Sequence, residues 1–363
     1  MADLEHGENT GVVVIVRQLD FRVGAETGIT YEARLSDGDW RKYKPTDEWQ
    51  RRKIGSSLGY DTNSCITFSG NNTIEAQLKY LSEKGLPPGH VEFLADFLDE
   101  QGNPNASDWF GANTNGTTVD GNDLASFWEG VRKSGLLPQK DGYAPNDFTT
   151  NLQWLDKAKL TQAMRDKAMR FLDFFEVKYE WVVLEQPGRW DLFAKHAKQA
   201  PLHIAVGTGD GWNRKDGKPI QPVDSLRLNH AIAYWHQSQD LQHDILDHYD
   251  PFLKELAWPY YIPYAIKGVV SVKPAPGMPT PFKYRFNVNL RSGAAASQEV
   301  RKLQEALQYL GYMTKGVFGP YGPATTFALG KFQALNKIKD PDGAGMNFGP
   351  QTRAAMNKAL GTS

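Results

Sequence analysis

The chain has 363 residues, of which 40% are hydrophobic, 12% aromatic and 23% charged. That is enough apolar material to bury cores and too much for a disordered chain, and the length predicts about two domains. The 41 basic and 42 acidic residues sum to a net charge of -1, which excludes a protein that neutralises nucleic-acid phosphates over its whole surface. A single cysteine, Cys65, excludes a disulfide framework, Cys-based structural zinc and iron–sulfur clusters.

The amino-terminal stretch MADLEHGENTG is polar and acidic, and the apolar run Val12 to Val16 is shorter than the hydrophobic region of a signal peptide. No stretch reaches the ~18 apolar residues needed to cross a bilayer. The expectation is synthesis in the cytoplasm without a signal peptide, and no membrane insertion. Ser64 to Leu81 places Phe68, Ile74, Leu78 and Leu81 on one helical face, which puts Cys65 at or just inside a helix amino end. A second helix is expected from Gly121 through Trp128 to Lys133, ending at Ser134-Gly135, and a third from Trp190 to Lys198. Leu202 to Val206 and Ala231 to Trp235 read as short strands, whereas Tyr249 to Tyr264 is aromatic-rich and punctuated by Pro251, Pro259 and Pro263.

The segment KPAPGMPTP, Lys273 to Pro281, carries four prolines and reads as a linker. From Phe286 onward the chain holds nine Lys/Arg against four Asp/Glu, a charge of +5, and the preceding residues sum to -6. The carboxy-terminal part also contains an internal repeat. Phe318-Gly319-Pro320 with Thr325 and Thr326 is echoed by Phe348-Gly349-Pro350 with Thr352, each a glycine turn feeding a helix. The preceding helix, Glu299 to Leu310, places Val300, Leu303, Leu307 and Leu310 on one face, so a three-helix bundle is expected.

A lone cysteine is most often a buried apolar residue, but a thiolate is a nucleophile, and a helix amino terminus together with an imidazolium favours that form. His230, within Leu228-Asn229-His230-Ala231-Ile232-Ala233, follows Cys65 by 165 residues, and papain-like enzymes place their histidine ~130–150 residues after the cysteine. His203 alternates into an apolar strand and reads as a core residue. His243, Asp247 and His248 match no known metal-ligand spacing, and the loop at Asp340-Pro341-Asp342-Gly343 lacks the EF-hand glutamate, having Gln351 in its place. No metal or cofactor is expected.

In ordered succession the chain resembles the papain-like cysteine peptidases. Asp39-Trp40-Arg41 with Pro45 and Gln50 resembles the mature amino terminus, and Asn63-Ser64-Cys65-Ile66-Thr67-Phe68-Ser69 the nucleophile motif, with Ile66 in place of tryptophan. Gly121 to Leu124, Phe127 and Ser134 to Leu137 resemble the following helix and glycine turn. Ala200 to Val206 resembles the strand preceding the histidine, Leu228 to Ala233 the histidine strand, and Asp247-His248-Tyr249 stands where the family has Asn-Ser-Trp. The resemblance implies an α+β peptidase domain over residues 39–272, with a helical and an antiparallel β subdomain, after an extension at 1–38. It also implies a catalytic set: Cys65 as nucleophile, His230 as base and acid, Asp247 as the residue orienting the imidazole, and Gln50 with the Cys65 N–H as the oxyanion donors. Gln50 stands fifteen residues before Cys65, farther than the family's spacing, where Gly59 is found. The missing disulfides suit synthesis in a reducing compartment.

Beyond a linker at 273–294, residues 295–360 resemble a three-helix peptidoglycan-binding domain, carried by Val300, Leu303-Gln304, Leu307, Leu310-Gly311-Tyr312, Gly319-Pro320, Phe332-Gln333, Gly349-Pro350 and Thr352. Tyr312, Tyr321, Gln333 and Arg353 are expected to line its ligand groove. Together the two resemblances imply a monomeric, wall-targeted cysteine peptidase of phage-endolysin type, with peptidoglycan as partner, acting at the wall of an infected host after release. Two other readings stay open: a protease of proteins anchored at the wall, and a degenerate structural or adhesion part of a virion.

Overall fold

The structure is a computed structural model that describes residues 29, 32–54, 57–140, 143–145, 147–183, 190–222, 228–237, 242–273, 282, 284–313, 318–340 and 343–362. Most of the expected extension 1–38 lies outside these residues, whereas of the expected linker 273–294 residues 273, 282 and 284–294 are described. The chain forms two compact units, one of residues 1–80 and 96–271, the other of 81–95 and 272–363. Phe286 and Leu290–Arg291 of the expected linker belong to the fold of the second unit, because the Phe286 side chain packs in its core and Leu290–Arg291 pair with Asn347–Phe348. Among the described residues no helix is long and apolar enough to cross a membrane.

The first unit opens with a hairpin, β1 (Arg51–Ile54) and β2 (Ser57–Asp61), that pairs Arg51 with Asp61. Then come α1 (Cys65–Lys84), a twenty-residue helix, and α2 (Pro88–Leu94). α3 (Asp108–Asn115) and α4 (Leu124–Ser134) follow, capped by Ser107 and Asp123, each of which accepts a first-turn N–H. α4 ends at Gly135, whose φ of +71° and close approach to the Ala168 carbonyl admit no side chain. Gly70 serves packing: a Cβ there would stand 2.3 Å from the Phe127 ring, so its absence lets α4 lie against α1. The short helices α5 (Asn151–Trp154), α6 (Gln162–Met169) and α7 (Phe171–Phe174) complete the helical part, whose core joins Phe68, Trp109, Phe110, Leu137 and Trp154.

The β part contains β3 (Phe175–Val183), α8 (Trp190–Ala197), β4 (Leu202–Val206), β5 (His230–Gln237), β6 (His243–Leu246), β7 (Leu253–Leu256) and β8 (Tyr264–Val272). The strands make one sheet in the order β3-β8-β4-β5-β6-β7, and the β8-β4, β4-β5, β5-β6 and β6-β7 pairs are antiparallel. This is the expected α+β class. Ile204, Val206, Ile232, Tyr234, Ile245 and Leu256 bury one face with Phe193 of α8. Of these strands only β4 and β5 were anticipated; β3, β6, β7 and β8 were not. β7 lies inside the proline-punctuated stretch because Pro251 and Pro259 flank the strand and leave its ladder intact.

The second unit holds β9 (Leu290–Arg291), α9 (Gln298–Tyr309), α10 (Pro323–Leu335), β10 (Asn347–Phe348) and α11 (Pro350–Ala359), the expected three helices plus a two-stranded β9–β10 pair. Its core gathers Phe286, Val300, Leu303, Leu307, Tyr321, Leu329, Phe332, Phe348 and Met356. The sequence repeat has a physical basis in two buried glutamines. Gln304 Nε2 donates to the Gly319 carbonyl and to Thr325 Oγ1, and its Oε1 accepts the Gly319 N–H. Gln333 repeats the clamp one helix later, donating to the Asn347 carbonyl and Thr352 Oγ1 and accepting the Gly345 N–H. Each glutamine ties a glycine turn to the first turn of the next helix, so Phe-Gly-Pro and the following threonine recur together.

Candidate active site

Cys65 is the first residue of α1 and is fully buried. The turn before it is fixed at every residue. Asn63 adopts φ +53°, its N–H donates to Asp61 Oδ1 (2.9 Å), and its amide donates to the Val119 carbonyl (2.8 Å). Ser64 Oγ donates to the Thr62 carbonyl and accepts from the Trp154 indole (3.0 Å). The first N–H groups of a helix have no intrahelical acceptor, so the Cys65 thiol is held beside a set of backbone donors.

His230, the first residue of β5, is 2% exposed and hydrogen-bonds the Cys65 thiol. Its Nε2 stands 2.7 Å from Asp247 Oδ1, and since a carboxylate only accepts, Nε2 carries the proton and Nδ1 faces the thiol. Asp247, just past β6, is saturated. Oδ1 also accepts the His248 N–H (2.7 Å), while Oδ2 accepts the Trp212 indole (2.7 Å) and the Lys254 ammonium (2.6 Å). Burial alone would raise the Asp247 pKa, but the His230 and Lys254 charges outweigh it and hold the carboxyl well below the usual range. Burial likewise opposes a charged His230, yet the Asp247 charge and hydrogen bond, with a contribution from Cys65, push its pKa up to about 9. Cys65, His230 and Asp247 are thus brought together in one buried array.

Gln50 is fully buried at the start of the hairpin. Its Nε2 donates to Asp61 Oδ1 (2.9 Å), and its N–H donates to the His248 carbonyl (3.1 Å), which ties it to the strand end carrying Asp247. The fifteen-residue spacing has a simple cause. β1 and β2 carry the chain out and back, and pairing of Arg51 with Asp61 sets Gln50 beside a residue only four before Cys65. Arg52 anchors the hairpin by lying over the Trp154 ring, 4.8 Å from its centroid.

Asp61, Trp212 and Lys254 belong to this site and were not singled out for it by the sequence, and they are joined there by Tyr249, which follows Asp247 in the motif. Asp61 joins its parts: besides Gln50 and Asn63 it accepts the Tyr249 hydroxyl at 2.5 Å, and the Tyr249 ring lies 5.2 Å from that of His230. Lys254 had a legible signal, since it shares the inward face of β7 with Leu256, an apolar position given to a cation.

His203 is a core residue, buried, with Nε2 2.7 Å from Ser69 Oγ and its pKa lowered by burial to about 3. His248 is buried against Phe68 and His230, and burial holds it neutral. The His230, Asp247 and His248 ligand atoms lie within 4.8 Å of one another, the spacing of a metal site, but the Lys254 ammonium on Asp247 opposes a second cation there.

In the second unit the expected groove residues divide. Tyr321 is fully buried with its hydroxyl on the Gly345 carbonyl (2.6 Å), and Gln333 is 2% exposed and spent in its clamp. Both hold the 343–347 loop, so neither presents a free polar group to a ligand, which corrects the expectation for them. Tyr312 is half-buried, edge-on to Phe332 at 5.5 Å. Arg353 donates to the Asn287 carbonyl and Asn289 Oδ1.

No curated protein matches the chain. Among solved structures, digestive procathepsin L 3 of Tenebrio molitor larval midgut is similar at 13% identity and a TM-score of 0.46, over 72% of this chain and 76% of that one. Xylellain, a cysteine protease from Xylella fastidiosa, is similar at 14% identity and a TM-score of 0.44, over 72% of this chain and 96% of the other. Residues 296–356, which span α9 to α11, match the family model described as "Putative peptidoglycan binding domain".

Proposed function

We propose that residues 39–272 form a papain-like cysteine peptidase, that residues 295–360 together with Phe286 and β9 of the expected linker form a peptidoglycan-binding module, and that the protein cleaves peptide bonds of the bacterial wall. The observation that carries the proposal is the buried array of a helix-terminal thiol, an imidazole and a carboxylate, in which one ring nitrogen faces the thiol and the other donates to the carboxylate.

With its proton already held on His230 Nδ1, Cys65 Sγ attacks the scissile carbonyl carbon. The imidazolium, held by Asp247, gives that proton to the leaving amine, and a thioester remains on Cys65. Water then attacks the thioester with His230 as base, freeing the carboxylate product and the thiol. The oxyanion is received by the Cys65 N–H and by the Gln50 amide hydrogen that Asp61 does not take; one such donor is typically worth about 10²–10³ in rate. Because Cys65 is fully buried, substrate entry requires neighbouring groups to move. A wall-binding module on the same chain raises the enzyme's effective concentration at an insoluble polymer. This combination supports a phage-endolysin role, released to the wall of an infected host.

The test is digestion of purified sacculi, with the soluble fragments weighed by mass spectrometry. New amino termini within stem peptides or cross-bridges, on intact glycan, support the reading. Intact muropeptides alongside cut casein overturn the wall substrate.

A further inference from the structure

The strongest unassigned feature is a cavity of about 650 Å³ in the second unit, bordered by β9, the end of α10 and the start of α11. Two cations, Arg291 and Lys339, line it, and among the described residues neither has a carboxylate partner. The one acid of its wall, Asp340, is turned onto its own loop, where it accepts the Asn347 N–H (2.6 Å), the Asn347 amide (2.9 Å) and the Gln333 amide (3.4 Å). The lining therefore offers positive charge that its own acid does not neutralise. Leu290 and Ile338 supply an apolar part, and the exposed Gln351 an amide at the rim.

We infer that this cavity binds the free carboxylate end of a short peptide with small apolar side chains, as found on the stems of the wall polymer. This rests on the wall-binding reading and assigns the charged contact to Arg291 and Lys339; Gln333 borders the same cavity, but its amide is engaged in the clamp, and Tyr321 is not among the lining residues. Arg291 presents a planar fork matched to a carboxylate, and Lys339 adds a compact second charge. Phosphate would satisfy the same cations, but a phosphate polymer has no use for Leu290 and Ile338, so the peptide end is favoured.

The experiment uses the full chain as Cys65→Ala, so that the ligand is not digested, and follows calorimetric binding of soluble muropeptides. The same muropeptides with carboxylates converted to methylamides, and poly(glycerol phosphate), are the comparison ligands. Amidation is expected to weaken binding roughly ten-fold or more, with a matching loss in Arg291→Gln/Lys339→Gln. Lys331→Gln, on α10 outside the cavity lining, should bind as the parent does. Equal affinity for free and amidated muropeptides overturns the inference, as does undiminished binding by the double variant or tighter binding of the phosphate polymer. The amidation arm uses unaltered cavity residues and stands whatever the double variant does to folding. Failure of the parent chain to bind any wall fragment is a different result, and it overturns the wall-binding reading itself.

Discussion

Replacing Asp247 by asparagine, the residue of the papain-like family at this place, is predicted to be severe here. Asp247 uses both oxygens as acceptors, Oδ1 for His230 and the His248 N–H, Oδ2 for the Trp212 indole and the Lys254 ammonium. Asparagine has one acceptor oxygen. If it faces His230, its amide nitrogen meets two donors, and Lys254, with a side chain 2% exposed, becomes a buried cation without a counter-ion. Removing one partner of a buried pair costs about 3–5 kcal/mol, and for a unit of this size that lowers Tm by about 6–20 °C. Asp247→Asn/Lys254→Met removes the stranded charge and is expected to recover more than half of the loss. Chemical denaturation of the parent, the two single variants and the double variant measures the cycle. If Asp247→Asn stays within about 0.5 kcal/mol of the parent, where surface changes usually fall, or if the double variant is no more stable than the single, Asp247 is not the saturated acceptor that holds Lys254.

Asp61→Ala should free Gln50 and Tyr249 from their shared anchor and lower kcat by about 10–100-fold with little change in KM. Asp61→Asn, which keeps an acceptor for Gln50, should recover part of that loss; equal losses in both would mean that Asp61 acts only on folding. The pKa of His230, raised from 6.5 to about 9, gives a stabilising contribution that is full below pH 6.5 and lost as pH rises through about 9. A basic limb near pH 9 in kcat/KM, moved downward in Asp247→Asn, is the kinetic counterpart, and a limb unmoved by that substitution would contradict the coupling. The lowered pKa of Asp247 contributes stability above the ordinary carboxyl range that disappears as pH falls toward its folded value. Gln333→Leu strands the Gly345 N–H, the Asn347 carbonyl and the Thr352 hydroxyl and should cost the second unit about 2–4 kcal/mol. Scanning calorimetry would show this as a shift in one transition, and an unshifted scan would refute the clamp.

Local signals were legible where one element answers to its own residues. The apolar spacing after Ser64 placed Cys65 at a helix start, and Leu202 to Val206 is the strand β4. Asp123 and Gly135 bound α4 through a cap and a left-handed turn. Gln50 looked misplaced because linear distance ignores the return of a hairpin, and only the Arg51–Asp61 pairing restores its neighbourhood. Trp212 and Lys254 meet Asp247 from 35 and seven residues away across strand ends, so their role follows from topology and has no motif. β3 does carry a period of two, with Phe175, Val177, Tyr179 and Trp181 buried, but its partner β8 lies some eighty residues on. Tyr321 and Gln333 show the opposite error: polar atoms in a motif suggested a groove, whereas in a small bundle they close its loops.

The central claim is that Cys65 forms a covalent acyl intermediate with a wall peptide, and mass spectrometry of the acid-quenched enzyme during turnover of a muropeptide tests it most directly. An acyl adduct on the peptide containing Cys65 is expected in the parent protein, and neither adduct nor hydrolysis in Cys65→Ala. Wall hydrolysis that persists in Cys65→Ala, or turnover with the acyl group on another residue, would contradict it.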